Sequence, residues 1–156
     1  MADEGEVPPE AEEDTKSGTG KFYYASGATY EGDWVVKEEE PLAEGEEPPP
    51  PPPVPRIRQG TGKFVDGGYS YEGAWENDMM HGAGTFTYAS GATYSGDWVE
   101  NKYEGKGVYT FPDGTTYEGD FVGSTFHGEG VYTDAEGHKW AGQFYNGSGP
   151  GLTNQL

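Results

Sequence analysis

The 156-residue chain contains no cysteine, which excludes a disulfide framework, a thiolate nucleophile and any Cys-ligated metal site. Basic residues are scarce: 9 Lys and Arg stand against 28 Asp and Glu, leaving a formal charge of −19. That balance argues against nucleic-acid phosphate as a partner, since Lys and Arg carry such binding. It argues equally against anionic lipid head groups. No stretch approaches the ~18–20 apolar residues of a membrane span. The opening MADEGEVPPEAEED has neither the basic nor the apolar region of a secretory signal. Aliphatic residues are few as well, with 2 Leu, 1 Ile and 9 Val. Such a composition at high net charge is ordinarily that of a disordered polypeptide. Together these deficits predict a soluble, intracellular, acidic chain with one domain at most.

Two residue classes contradict the disorder. There are 27 glycines, and 23 aromatic residues comprising 12 Tyr, 7 Phe and 4 Trp. Every aromatic lies within 18–34 or 60–147. The aromatic-free stretches have their own character. Residues 1–17 hold seven acids and one lysine and read as a disordered acidic leader. Residues 35–59 form an acidic and then proline-rich insertion, and 148–156 a small, polar, fraying tail.

Inside the aromatic text runs a repeat, here numbered from the second glycine of each Gly-x-Gly: Gly20, Gly62, Gly84, Gly107 and Gly130. Position +2 is always aromatic: Phe22, Phe64, Phe86, Tyr109 and Tyr132. Four copies then carry glycine at +7, an aromatic at +10, glycine at +12 and an aromatic at +14. The second copy keeps that order one residue early, having lost a loop residue in FVDGGYSY. The +10 and +14 residues pair as Tyr30 and Trp34, Tyr71 and Trp75, Tyr94 and Trp98, Tyr117 and Phe121, Trp140 and Phe144. Internal periods of this size point to stacked supersecondary units. Within GAGTFTYASGATYSGDW, Phe86 and Tyr88 alternate, as do Tyr94, Gly96 and Trp98, so each set shares one face of a strand. Ala89–Ala92 supplies the turn between them, with Gly91, like Gly114 in its own copy, free to take positive φ.

One repeat is therefore predicted to be a β-hairpin with an aromatic face and a Thr, Ser, Glu and Asp face. A lone hairpin is marginal in water, so each is expected to dock on the next through the Gly-x-Gly link. Five hairpins give about ten antiparallel strands in a single-layer, all-β sheet held by stacked rings rather than an aliphatic core. The glycine between the two aromatics of the second strand leaves a gap for a neighbouring ring.

The pattern Tyr-Glu-Gly-x-Trp/Phe followed by His-Gly-x-Gly, as in YEGAWENDMMHGAG (71–84) and YEGDFVGSTFHGEG (117–130), resembles the MORN repeat. The resemblance covers 18–34 and 60–147. It departs from the motif at the insertion after Trp34, at Ser95 and Ala141 in the Glu position, at Trp140 for Tyr, and at Tyr103-Glu104 where His is usual.

Catalytic chemistry finds little footing. The Gly-x-Gly copies recur at a fixed period and never open a helix, unlike a dinucleotide loop. The acids Glu31, Asp33, Glu72, Glu118 and Asp120 recur with that period and read as a solvated face rather than a carboxylate pair. His81 and His127 lie two periods apart, too far to share a zinc. They read as turn imidazoles bonding nearby backbone, while His138 stands alone in a hairpin loop. The expectation is a non-enzyme with no metal or cofactor.

Binding is carried by two features. The first is the row of Tyr30, Trp34, Tyr71, Trp75, Tyr94, Trp98, Tyr117, Phe121, Trp140 and Phe144. A single sheet leaves this face with nothing of its own to cover it, and exposed apolar surface of that extent marks a partner site. The groove is expected to receive an amphipathic helix or extended segment of a protein partner. The second is the proline run with Pro48, Pro51, Pro53 and Pro55. It satisfies Pro-x-x-Pro and offers a polyproline II rod to an SH3, WW or profilin-like domain, or serves only as a stiff spacer. Edge strands at the two ends leave room for a homodimer. The family resemblance implies a scaffold in the cytoskeleton of the motile cilium, leaning towards the radial spoke of the axoneme. The rival is a membrane-associated tether binding phospholipid, which the fifteen acids against five lysines within the repeats disfavour.

Overall fold

The computed structural model describes residues 16–37 and 56–155. These form one open antiparallel sheet of eleven strands in strict sequence order. The strands are β1 Ser17–Tyr23, β2 Thr29–Val36, β3 Arg56–Asp66, β4 Tyr69–Glu76, β5 Met79–Thr87, β6 Thr93–Val99, β7 Lys102–Thr110, β8 Thr116–Val122, β9 Thr125–Thr133, β10 Lys139–Phe144 and β11 Thr153–Gln155. Five hairpins account for ten of them; β11 comes from the stretch read as a fraying tail. The leader up to residue 15, the segment 38–55 and the proline run within it lie outside the described residues.

Register, more than strand identity, builds the core. Every strand from β1 to β10 sets its middle glycine beside that of its neighbour, from the Gly20–Gly32 pair to the Gly130–Gly142 pair. One step away, a ladder of rings crosses the same ten strands, running Phe22, Tyr30, Phe64, Tyr71, Phe86, Tyr94, Tyr109, Tyr117, Tyr132, Trp140. Cross-strand pairs are the unit of sheet stabilisation, and here one pattern repeats on every rung. The opposite face carries polar partners, such as Lys21 with Glu31 at 3.3 Å, Lys63 with Glu72 at 3.2 Å and Thr85 with Ser95 at 3.0 Å.

Two kinds of turn alternate. Within a repeat, Tyr88 N donates to Ala92 O and Gly91 N to Tyr88 O, with Gly91 at φ 89°. This three-residue loop closed by a left-handed glycine serves four repeats, while the second turns through Gly67-Gly68 alone. Between repeats the turns are two-residue: Asn77-Asp78, Glu100-Asn101 and Gly123-Ser124, all with positive φ at both positions. That is the type I′ geometry that matches the right-handed twist of flanking strands. These turns, rather than Gly-x-Gly, are the links between hairpins. Gly-x-Gly sits inside the odd strands, and in β3, β5, β7 and β9 it makes a bulge.

The bulge shapes the molecule. Between the Gly73–Gly84 and Trp75–Met80 pairs, Ala74 alone faces His81, Gly82 and Ala83. Gly82 takes φ 84° there, a conformation that is costly for any residue with a Cβ. Equivalent register shifts occur at Gly32/Trp34, Gly96/Trp98 and Gly119/Phe121. Each bulge turns the start of its strand back over the aromatic face. The next turn then pins it: Asn101 N donates to Met80 O at 3.0 Å while Asn101 Oδ1 accepts from Met80 N at 2.8 Å. Ser124 treats Tyr103 in the same way, through its N at 3.0 Å and its Oγ at 3.1 Å.

Candidate functional site

Of the ten rings expected to line an open groove, nine are at most 7% exposed, and only Trp140 is half-buried. The four tyrosines Tyr30, Tyr71, Tyr94 and Tyr117 are fully enclosed. Each lies flat over the glycine row. A Cβ on Gly84, for example, would fall 2.5 Å from Cζ of Tyr71. Each hydroxyl donates to the backbone carbonyl three residues on: Asp33 at 2.7 Å, and Ala74, Asp97 and Asp120 at 2.9 Å. The gap left by glycine is thus filled by the ring two residues earlier on the same strand, together with its hydroxyl.

The cover comes from the chain itself, at position −4, through the bulge. Tyr103 stacks on Tyr94 at 4.0 Å and Phe126 on Tyr117 at 4.1 Å. Met80 packs against the same cluster. The Arg58 guanidinium lies 4.1 Å from the Trp75 ring and is fixed by Asp78 at 2.6 Å. Trp75 and Trp98 close the layer from below, their indole N–H donating to Gly62 O and Gly84 O, each at 3.1 Å. The sequence reading, in which this face had nothing to cover it, missed these four residues. Their signal was present as an apolar or aromatic residue four before the second glycine in three copies.

The more open surface combines the ladder rings of the odd strands with rings nearer the hairpin loops. Tyr24 (42% exposed), Phe64, Tyr69 (39% exposed), Phe86, Tyr88, Tyr109, Phe111 and Tyr132 make a continuous strip. Successive centroids are 6.1, 6.4, 5.7, 4.6, 6.3, 4.9 and 6.4 Å apart. The strip runs from the β1–β2 loop to β9, resting on the buried tyrosines. Its rim at the loops is acidic, with Asp66, Asp113, Asp134 and Glu136, and none of the five loops carries Lys or Arg. An apolar strip with one acidic bank suits a partner segment that presents apolar and basic side chains together.

Electrostatics distinguish the buried tyrosines from the rest. Burial, with a further push from Asp33, raises Tyr30 to about 12. Burial also raises Tyr71 to about 12, and, aided by Asp120, Tyr117 to about 12. Tyr94 moves in the same direction for the same first reason. These groups are fixed as neutral donors and hold the fold.

The histidines divide. His81 accepts from Glu100 N at 3.5 Å and meets Glu76 at 3.4 Å, a turn imidazole as expected. His127 lies beside the Tyr145 ring. His138 is not isolated: Asp134, Glu136 and His138 bring ligand atoms within 4.8 Å of one another. The Asp134 carboxylate is occupied by the turn, accepting from Glu136 N, His138 N and Trp140 Nε1 at 2.9–3.1 Å. Despite partial desolvation, the Trp140 and His138 donors hold that carboxyl below its ordinary range. The arrangement is a loop clasp, with Asp134 also anchoring the one +10 residue that lacks a hydroxyl.

Comparison with known proteins agrees with this geometry. The MORN repeat family model matches residues 12–29, 71–93, 94–116 and 117–139, more than half of the chain. Three of those matches begin on a buried +10 tyrosine: Tyr71, Tyr94 and Tyr117. The interval 30–70, where the insertion parts β2 from β3, falls between matches. No curated protein matches the chain significantly. Among the described residues no helix is long and apolar enough to cross a membrane. With four matched segments on a sheet that repeats one glycine and ring pattern, the chain belongs to the MORN-repeat family, whose members serve as non-enzymatic scaffolds binding proteins or membranes.

Proposed function

We propose that this protein is a non-enzymatic scaffold that holds a partner chain along the partly buried strip from Tyr24 to Tyr132. The observation that carries the reading is the strip itself: eight ring-bearing residues in unbroken contact, Tyr24 and Tyr69 exposed and the other six partly buried, over rings that are already enclosed. Exposed, contiguous aromatic surface of this kind is how interfaces are anchored. The occupant is an amphipathic helix or extended segment whose apolar side chains meet the rings and whose Lys or Arg residues meet Asp66, Asp113, Asp134 and Glu136.

The assembly we propose is the axoneme of the motile cilium, leaning towards the radial spoke; the family resemblance supports that placement. Membrane attachment, the family's other role, is disfavoured by fifteen acids against five lysines in the repeats. The test is the double variant Tyr88→Ser with Phe111→Ser, expressed in ciliated cells. The variant, its fold checked by circular dichroism, loses co-purifying axonemal subunits. Undiminished co-purification would reject the strip. Flotation of the wild-type chain with phosphatidylserine vesicles at physiological salt would reinstate the membrane reading.

A further inference from the structure

The two ends of the sheet differ. At the C-terminal end, β11 pairs with β10 through Lys139–Gln155, Trp140–Asn154 and Ala141–Thr153. Leu152 packs against the ring cluster and over Gly142 and Gly149. That strand is only three residues long and wholly exposed, the short edge by which proteins discourage further pairing. At the other end β1 is seven residues long, Ser17–Tyr23, and among the described residues no strand lies outside it. It has no proline and a single charge, Lys21. Beside it stands Tyr23, the most exposed large hydrophobic residue described, at 75%.

Which groups β1 presents outward follows from its hydrogen bonds. Val36 N donates to Lys16 O at 2.8 Å and Tyr24 N to Ala28 O at 2.9 Å. Antiparallel pairs alternate between bonded and non-bonded, so even-numbered residues of β1 bond to β2. The N–H and C=O groups of Ser17, Thr19, Lys21 and Tyr23 therefore point away from the sheet. The aromatic face of the same strand reads Gly18, Gly20, Phe22, which is self-complementary when reversed about Gly20.

We infer that the outer edge of β1 pairs antiparallel with β1 of a second copy of this chain, about a two-fold axis through Gly20. In that register Gly20 faces the second copy's Gly20, Phe22 faces its Gly18, Lys21 its Thr19 and Tyr23 its Ser17. The glycine row thus continues across the axis, with the second copy's Phe22 set beside Gly18 on the side away from β2, whose Trp34 already stands opposite that glycine. Four bonded pairs give about eight backbone hydrogen bonds. Shifting by one pair in one direction sets Lys21 against Lys21; in the other it sets Phe22 against Lys16. The central pair is non-bonded, the closer of the two spacings at ~4.5 Å between Cα atoms, which glycine suits. Because the far end is capped by β11, pairing closes at two copies rather than growing a fibre. The strip begins at Tyr24, next to this edge, but its test residues Tyr88 and Phe111 lie on other strands, so either assignment can fail alone.

Sedimentation of the full chain from ~1 to ~200 µM tests the pairing. The expected result is a concentration-dependent dimer that strengthens as salt is raised, because two copies of charge −19 repel. Lys21→Pro removes an outward N–H that β1–β2 pairing does not use, and proline is tolerated at an edge; it yields a monomer with unchanged circular dichroism. Lys21→Gln stays dimeric. In this cysteine-free chain, Gly20→Cys forms a disulfide-linked dimer on mild oxidation, since a Cβ there meets nothing closer than 3.4 Å. Ser17→Cys does not, because it faces Tyr23. A monomer at every concentration, a dimer that survives Lys21→Pro, or equal cross-linking by the two cysteine variants would overturn the inference.

Discussion

Substituting Gly84 by alanine probes the central packing device. The added methyl would lie 2.5 Å from Cζ of Tyr71, a ring with no solvent exposure. Tyr71 cannot yield cheaply: it meets Trp75 at 5.0 Å and Trp98 at 5.2 Å, and its hydroxyl donates to Ala74 O at 2.9 Å. Overpacking a rigid core costs about 1–3 kcal/mol, and the displaced hydrogen bond about 1 kcal/mol more. Reduced freedom of the unfolded chain returns ~0.4–1 kcal/mol. The net loss is therefore about 1–3.5 kcal/mol, a fall in Tm on the order of 5–25 °C for a domain of roughly 100 residues. Urea and thermal unfolding followed by tryptophan fluorescence read it. Gly151→Ala, where nothing lies within 4 Å, should change stability by no more than ~0.5 kcal/mol. Tyr71→Phe removes the hydroxyl that the methyl strikes first, so the double variant should lose less than the two singles summed. Strict additivity, or a Gly84→Ala variant as stable as Gly151→Ala, would refute a ring seated on the glycine row.

The remaining predictions concern the lid, the turns and pH. Tyr103→Ala uncovers Tyr94 and should cost about 3–5 kcal/mol, as for other buried aromatics, whereas Tyr88→Ser, at a partly buried ring, should cost less, about 1–2 kcal/mol; chemical denaturation of the two variants compares them. Asn101→Ala puts a Cβ residue without a side-chain acceptor at φ 67° and orphans Met80 N, for about 1–2 kcal/mol in the same assay. Alkaline unfolding follows from the tyrosines. Burial first of all lifts Tyr30, Tyr71 and Tyr117 to about 12 in the folded state, against an ordinary ~10 in the unfolded chain. Their contribution is complete below pH ~10 and is lost as pH rises towards about 12. Stability should thus be flat through neutral pH and fall above pH ~10, with a buried set of the 12 tyrosines ionising only as the chain unfolds. Difference absorbance near 295 nm checks this, and ionisation of all twelve at ~10 in the folded chain would contradict it.

The repeat, its hairpins and the identity of each face are written in local sequence. A period of about 23 residues, alternation within Tyr94–Gly96–Trp98 and glycine at the loop position need no long-range information. The links were less legible. Gly-x-Gly resembles a connector, yet Asn77-Asp78, Glu100-Asn101 and Gly123-Ser124 turn the chain, because adjacent left-handed residues suit a type I′ hairpin. The burial of the ten rings was misjudged for a related reason. Alternation places Tyr94 and Trp98 on one face, but not the bulge at Gly105 that carries Tyr103 back over them. That cover depends on a register shift between strands of successive repeats, which single-strand periodicity does not encode. Strand β11, with the sequence TNQ, carries no strand signal; it pairs where the preceding Leu152 packs over Gly142 and Gly149.

Cross-linking mass spectrometry on isolated motile cilia tests the scaffold assignment most directly, with a reagent that reacts at carboxylates so that the exposed Asp113 and Glu136 beside the strip report. The account predicts links from those residues to lysines of an axonemal subunit, lost when Tyr88→Ser and Phe111→Ser are combined. A chain found only in the cytosol, or links that persist unchanged in the double variant, would contradict it.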